Sequence, residues 1–595
     1  MTPRLSWGFS LSANALPLLQ QLLEAGDIDR LATPPNGEHW QSGELSTLLQ
    51  SEWNRSRAFV VVGSCGAITR LVAPLLGSKS EDPAVVVLDD QGRYAIPLLG
   101  GHAAGGEALA RSIAGRLQGE AVVTGSSASQ GRLALDAFGE AWGWRRGQGD
   151  WDGLMKAAHQ GQPLALLHRH GNERWQELRG LSGVQSKPAS NHQLVVGVNN
   201  GSGCCWHPPS LWLGMGCERN TSLSLLERCL EQALRDQGLA PEAIAGIATA
   251  ERKADEPALL ALAEQRGWPL RCFKAEELAQ VNVPNPSAVV AAELGTASVA
   301  EAAALLAAGP EPTLLLQKRI EHAAAGEQGA ATLAISQAAS QWAPNRGTLH
   351  LIGSGPGRLD LLTPDARAAL AESCIWVGYG LYLDLLEPLR RADQLRSDGQ
   401  LTQERERCRE ALELACQGMT VALVSSGDSG IYGMAGLALE QWMALKEDER
   451  PAFQVHPGIS ALQVAAARAG APLMHDFCTV SLSDRLTPWE VIERRLKAAA
   501  QGDFVVALYN PRSQGRHWQL ERAQALLLEE RPGSTPVVLA RQLGRKEEQV
   551  SFHTLAELPI AEVDMLTLVL VGNSTSRVCG GRMVTPRGYP GAELN

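Results

Sequence analysis

The sequence predicts a multidomain α/β protein, and three observations predict it. The chain has 595 residues, which as a soft prior means about three or four domains. Short apolar strands alternate with helical stretches along most of its length. That rhythm fades after about residue 320 and restarts at "LIGSGPGRLDLLTPDA" (351–366), a glycine-rich turn between a strand and a helix.

From the front, "AFVVVGSCGAITRLVAPLL" (58–76) reads as strand, glycine-rich turn and helix. In 84–117 two β-rich runs flank "DDQG", a hairpin signal. The second run ends in "GGH", and a helix begins within "AAGGEALA". "AVVTGSS" (121–127) is a further strand, which completes an α/β domain expected over 1–130. Residues 131–208 carry many Gly, Gln and Trp with short strands such as "PLALLH", and are expected to form a small middle module. A second α/β domain is expected over 209–320. It opens with strand, turn and helix in 211–239, with Asn220 or Thr221 as N-cap and Gly238 as the stop. Residues 321–346 decay into Ala, Ser, Gln and Pro and are expected to be a linker.

The last unit is expected over 347–595. "TLHLIG" is a strand, Thr363 caps the next helix, Pro364 takes its first position and Asp365 suits its positive end. "CIWVG" is a strand, and "ERERCREALELACQG" is a helix stopped by Gly418. "TVALVSSGDSGIYGMAGLALEQW" (420–442) and "FQVHPGISALQVAAARAG" both follow a strand–loop–helix plan. "DFVVALYNP" and "MLTLVLVGNS" are later strands.

Composition excludes several classes. A net charge of −11 argues against nucleic acid as a general partner. The start of the chain lacks an export signal and no run reaches 18 apolar residues, so a cytoplasmic protein with no membrane span is expected. The 11 cysteines show no CxxC spacing, which reads as free thiols in a reducing compartment. Cys204 and Cys205 are adjacent and do not easily bridge to each other. His168 and His170 in "HRHG" have no third ligand nearby and read as surface histidines, so no metal site is expected. The 15 tryptophans are scattered and read as core and loop anchors.

The glycine turn does not fit a dinucleotide site. Gly353, Gly355 and Gly357 give G-x-G-P-G, and Arg358 stands where the third glycine of the fingerprint belongs. Glu372 is at about the right distance for the ribose-binding acid but precedes the second strand, which ends in Gly378 and Tyr379. Two further loops, "SSGDSGIYGM" and "HPGISA", also follow strands and open helices. Such loops present backbone N–H and C=O groups to a ligand. Asp428 suits a hydroxyl or a positive charge. Three converging loops of this kind make a cleft for a small zwitterionic ligand.

Together "GxGPG…LLT", "GDxxxYG" and "PGxSA" resemble the tetrapyrrole (precorrin) methyltransferases. Residues 348–576 are similar to the precorrin-3B C17-methyltransferase branch, through "SSGDSGIYGMA", "APLMHDFCTVSLSDRLTPWEVIERRL", "GDFVVALYNPRSQGR" and "VDMLTLVLVGNS". The resemblance implies a bilobal α/β fold, S-adenosylmethionine bound between the lobes and a homodimer formed through this unit. It implies that Gly353, Pro356, Gly427, Asp428, Ile431, Tyr432, Ser460 and Ala461 line the S-adenosylmethionine site. It also implies that Arg485, Asn510 and Arg512 face a precorrin or cobalt-precorrin substrate, with Asp484 as candidate acid or base. Arg358 and Ser429 replace the Asp and Pro common in the family, a change expected to tune the site.

In the front half, "AITRLVAPLL…GGHAAGGEALA", "LWLGMGCERNTS", "TAERKADEPALLALAEQRGWPL" and "VPNPSAVV" resemble the cobalt-precorrin-5A hydrolases. That implies opening of a lactone with release of acetaldehyde. Such a step needs an activated water and a stabilised oxyanion, which points to His102 as base and to the following helix N-terminus for N–H donors. Lys253, Asp255 and Glu256 are further candidates, which a solvated charge run explains equally well. The front half departs from the family at Ile68, Thr69 and Arg70, at Glu107 in place of Asn, and in "TGSSAS". Two alternatives stay open: a front half that only binds or scaffolds, and methylation at another ring carbon.

Overall fold

The computed structural model describes residues 5–589 apart from 13–14, 35–39, 42, 79–80, 102–103, 125–130, 183, 185–186, 188–189, 343–345, 401–402 and 514–516. It is a multidomain α/β protein built on several sheets.

The front sheet has six strands in the order Arg30–Ala32, Leu5–Ser10, Ser56–Val62, Ala84–Leu88, Tyr94–Leu99, Glu120–Ala121. Its pairings are parallel except the hairpin between Ala84–Leu88 and Tyr94–Leu99, which turns at the expected "DDQG". Ser56–Val62 and Ala84–Leu88 are almost wholly buried, as near-continuous apolar strands covered on both faces should be.

The middle residues form a four-stranded sheet, Arg145–Arg146, Cys204–His207, Gln193–Val196, Ala165–His168. Its core is aromatic: Trp142, Trp175 and Trp206 are fully buried around Phe138. This is where much of the unusual Trp content goes. Trp206 is satisfied by the Leu135 carbonyl, Trp144 by the Gln341 side chain and Trp175 by His168. The same apolar cluster continues into the rear unit through Leu349, Ile375 and Leu412.

The third sheet runs Leu270–Phe273, Ile244–Ala250, Leu211–Cys217, Ala330–Gln337, Thr313–His322. Here the linker expectation over 321–346 fails. Ala330–Gln337 is an interior strand, paired antiparallel to Leu211–Cys217 and to Thr313–His322. Its small residues reflect tight helix–sheet packing: Ala334 lies against Ala300 and Ala304 of helix Val299–Ala308. At the next strand a Cβ on Gly214 would sit 1.8 Å from the Ala300 carbonyl. Beyond the strand, Gln341 is buried and donates to the carbonyls of Trp142 and Gln417. That segment is therefore a polar tie between middle module and rear unit. The helix expected to start at Asn220 or Thr221 has Ser222 at its N-cap position, its hydroxyl bonded to the Gln328 carbonyl, because Asn220 adopts positive φ and Thr221 bonds back to Glu218. Gly238 ends it in the left-handed conformation, as expected.

The rear unit has two lobes. The first holds a parallel sheet ordered Leu395–Gly399, Ile375–Tyr379, Thr420–Ser425, Thr348–Gly353, Ala452–His456. Thr363 accepts from the Ala366 N–H and Pro364 follows it, so the first helix starts where its capping signal stands. The second lobe is mixed: Phe477–Ser481, Val505–Tyr509, Thr567–Val571, Pro536–Arg541, Gln549–Thr554. No helix among the described residues is long and apolar enough to cross a membrane.

Candidate active site

Three neighbouring parallel strands of the first rear lobe end at the same sheet edge: Thr420–Ser425, Thr348–Gly353 and Ala452–His456. The three glycine loops follow those ends, which is where open α/β sheets place ligands. The loops touch through backbone. Gly355 and Gly427 exchange N–H···O bonds of 3.0 and 2.8 Å. Both have positive φ, 71° and 63°, a conformation glycine adopts without a Cβ penalty. Asp428 accepts from the N–H of Gly458 at 3.0 Å and of Gly430 at 2.8 Å, so one carboxylate joins the second loop to the third. A Cβ on Gly458 would lie 2.0 Å from the Gly427 oxygen, and one on Gly353 would lie 2.5 Å from the Gly458 nitrogen. The junction is therefore made of main chain at a spacing no side chain permits.

Around it stand the other predicted residues. Ser460 caps helix Ala461–Ala469, accepting from Gln463 N–H while the Gln463 side chain accepts from Ser460 N–H. Ile431 and Tyr432 are exposed, and Tyr432 holds an unusual positive φ of 54° for a bulky residue. Its hydroxyl donates to Thr479 and its ring lies 5.2 Å from that of Tyr509, so it reaches across to the second lobe. Burial pushes the Tyr509 phenol up, offset in part by its bond to Ser460. Pro356 is buried under Gly544 of the second lobe. Asn510, also at positive φ, donates to Ser481 at 3.1 Å. Asp484 is half-buried and accepts from Gln519 at 2.9 Å, while Arg485 is exposed. Arg512 uses one nitrogen to hold the Ile560 and Ala561 carbonyls, a structural anchor that leaves its other donors for a ligand.

The departures are local. Arg358 pairs with Asp360 at an exposed turn. Ser429 is fully buried with its hydroxyl unpartnered among the described residues. Glu372 ends a helix and accepts from Ser112 of the front domain at 3.0 Å, so it is turned away from any nucleotide role.

In the front half, His102 lies outside the described residues. The helix beyond it, Gly106–Leu117, does not offer the N–H donors expected of it. The N–H groups of Gly106 and Glu107 are taken by the Gly100 and Gly101 carbonyls at 3.0 and 2.9 Å. The "KADEP" run is only partly solvated. Glu256 is fully buried and accepts from Asn220 N–H at 2.8 Å and Lys253 Nζ at 3.3 Å, while Arg219 holds Asp255 at 2.6 Å. This charged cluster follows the ends of two adjacent parallel strands, Leu211–Cys217 and Ile244–Ala250. Cys217 is close by, its thiol pushed up to about 11 by burial. His168 and His170 are half-buried, not surface residues; Trp175 donates to His168, and burial takes His170 down to about 4.

Sequence reading missed a histidine chain where the first rear lobe meets the front domain. His350 and His456 sit on paired strands with ring nitrogens 2.9 Å apart, and His456 reaches Asp365 at 2.7 Å. Burial, and then His456, take His350 down to about 4. Two histidines 106 residues apart carry no local pattern that would have flagged them.

The fold and site thus define a bilobal α/β unit whose ligand crevice is walled by main chain, with α/β domains fused in front. Residues 348–559 match the family of tetrapyrrole (corrin/porphyrin) methylases. Residues 47–128 and 211–336 match the N-terminal and C-terminal parts of cobalamin synthesis G. The chain is 48% identical over 241 residues to a probable cobalt-factor III C(17)-methyltransferase of Salmonella typhimurium, covering 40% of this chain and 99% of that protein. It is 40% identical over 258 residues to precorrin-3B C(17)-methyltransferase of a Sinorhizobium species, covering 41% and 98%. A cobalt-factor III methyltransferase of Priestia megaterium is 46% identical over 246 residues, 41% of this chain but 45% of that protein, so the chain spans under half of this relative. The chain belongs to the tetrapyrrole methylases through its rear unit.

Proposed function

We propose that the protein is a bifunctional enzyme of corrin-ring synthesis. Its rear unit methylates C17 of precorrin-3B or cobalt-factor III with ring contraction, and its front half opens the lactone of cobalt-precorrin-5A and releases acetaldehyde. The observation that carries the first part is the three-loop junction in which Asp428 and Gly355–Gly427 lock backbone at one sheet edge. The glycine main chain that lines this sheet edge suits S-adenosylmethionine, held by Gly353, Pro356, Gly427, Ile431, Tyr432, Ser460 and Ala461.

When bound, S-adenosylmethionine supplies a methyl group already activated on a sulfonium. The chain's own task is then alignment and exclusion of water. Asp428 spends one lone pair of each oxygen on the loops and keeps the others for ligand hydroxyls. Tyr432, carried on a strained loop, closes toward Thr479 and borders the gap between lobes. Asn510, Arg485 and the spare donors of Arg512 face the ring's carboxylates. Asp484, aligned by Gln519, is placed to move a proton during contraction. In the front half His102 remains the candidate base, and Lys253 with Arg219, fixed by Glu256 and Asp255, is a second polar group at strand ends. A homodimer through the rear unit belongs to this reading, and light scattering of the full chain measures it.

Asp428→Ala should weaken S-adenosylmethionine binding by roughly 10-fold or more in calorimetry, since two loop N–H groups lose a charged acceptor; unchanged affinity removes the assignment. Mass and NMR analysis of products from cobalt-loaded and metal-free rings identifies the carbon methylated and the metal state used. Acetaldehyde release from the lactone-bearing corrinoid by the full chain tests the hydrolase. No release from folded protein leaves the front half as a binding module.

A further inference from the structure

A cavity of about 710 Å³ lies where front domain, middle module and rear unit meet, away from the three-loop crevice. That is the size of an ordinary small-molecule site. Its wall carries six arginines and four carboxylates, a local positive excess in a chain of net charge −11. Arg179 pairs with Glu387 and the Arg390 carbonyl, and the other five divide into two kinds. Arg390 and Arg391 are saturated: each grips one carboxylate, Glu387 or Asp393, with two nitrogens and a carbonyl with the third. They brace the wall.

Arg57, Arg111 and Arg132 are different. Arg57 uses only Nε, on Ser6, and Arg132 only one terminal nitrogen, on the Ala158 and His159 carbonyls. Neither has an ion-pair partner among the described residues. Arg111 gives one nitrogen to Glu107 at 3.3 Å. Burial and then the Arg391 charge lower Arg111, against the opposing charges of Asp393 and Glu107. Burial pushes Asp393 up, and Arg391 and Arg111 outweigh it and hold that carboxyl low. The lining also carries apolar Leu109, Ala134 and Ala137, with the carboxyls of Glu140 and Glu372.

Spread guanidinium forks over an apolar floor suit several carboxylates on one wide scaffold, because each fork matches a carboxylate edge to edge. A compact phosphate would want clustered backbone N–H groups, and the nearest helix start has given its own to Gly100 and Gly101. We propose that this interdomain cavity is a second binding site, for a flat organic ring bearing carboxylates at its edge. Naming that ring a corrin intermediate rests on the function proposed above; the binding site does not. Its walls come from three domains, so only the fused chain makes it.

The test is a fluorescence titration of the full chain with uroporphyrin I, an octacarboxylate ring, at low and moderate salt. The rear crevice and this cavity are expected to bind separately, the cavity in a salt-sensitive way. Arg57→Ala/Arg132→Ala should weaken that site at least 10-fold and leave the other, and the Lys/Lys variant should restore part of it. Both side chains are exposed, so folding is not at stake, and an unchanged thermal midpoint checks this. Wild-type stoichiometry and affinity in the Ala/Ala variant would overturn the proposal. So would a single site that Arg485→Ala/Asn510→Ala removes. Failure of the functional reading looks different: unmethylated corrin product with the cavity titration intact.

Discussion

The rear crevice and the interdomain cavity solve the same problem with opposite materials. The crevice is walled by main chain: Gly353 and Gly458 approach at distances that exclude any Cβ, and Gly355 and Gly427 pair backbone to backbone at positive φ. The cavity is walled by side chains, with arginines drawn from three domains over alanines and leucines. A backbone site has few adjustable parts and is intolerant of substitution. A side-chain site can lose one contact and keep its shape. The crevice therefore suits a ligand of fixed shape, and the cavity suits one recognised by distributed charge.

The sharpest way to break this contrast is a pair of glycine substitutions. Gly458→Ala must push its Cβ off the Gly427 oxygen at 2.0 Å, so S-adenosylmethionine binding should fall beyond detection in calorimetry. Gly105→Ala, at φ 73° with no atom within 4 Å of its Cβ, should cost about 1 kcal/mol of stability and leave that binding intact. If both variants bind equally, the backbone account of the crevice is wrong. Next in size is Glu256→Ala, which strands the half-buried Lys253 ammonium and the Asn220 N–H; a stability loss of about 3 kcal/mol should appear as a lowered thermal midpoint.

The buried histidine chain sets a third effect. His350 titrates at about 4 when folded against 6.5 when free. The unfolded chain thus takes up the proton first, so stability is full above about pH 6.5 and falls toward pH 4. The loss should approach about 3 kcal/mol, seen in denaturation midpoints across that range, and His350→Gln should flatten the slope. Smallest is Arg358→Ala. Its pair with Asp360 is exposed and screened, so the thermal midpoint and S-adenosylmethionine affinity should both stay unchanged within error.

Much of the site was legible because its signals are local. Positive-φ glycines, a capping Ser460 with Gln463 three residues on, and Thr363–Pro364 each write their geometry into adjacent residues. What misled was composition. Ala330–Gln337 looks like a linker because its residues are small, yet they are small to admit helix Val299–Ala308 at close range. The "KADEP" charges look solvated because a run of ions usually is, yet Glu256 is buried by partners 36 residues away.

By itself the sequence determined the α/β class, the three loops and their order, since strand periodicity and turn chemistry act over a few residues. Only the tertiary structure decided that Asp428 clamps one loop to another, that His350 meets His456, and that arginines from three domains ring one cavity. Those contacts join residues far apart in the chain, and their energies depend on burial that exists only once the domains have packed.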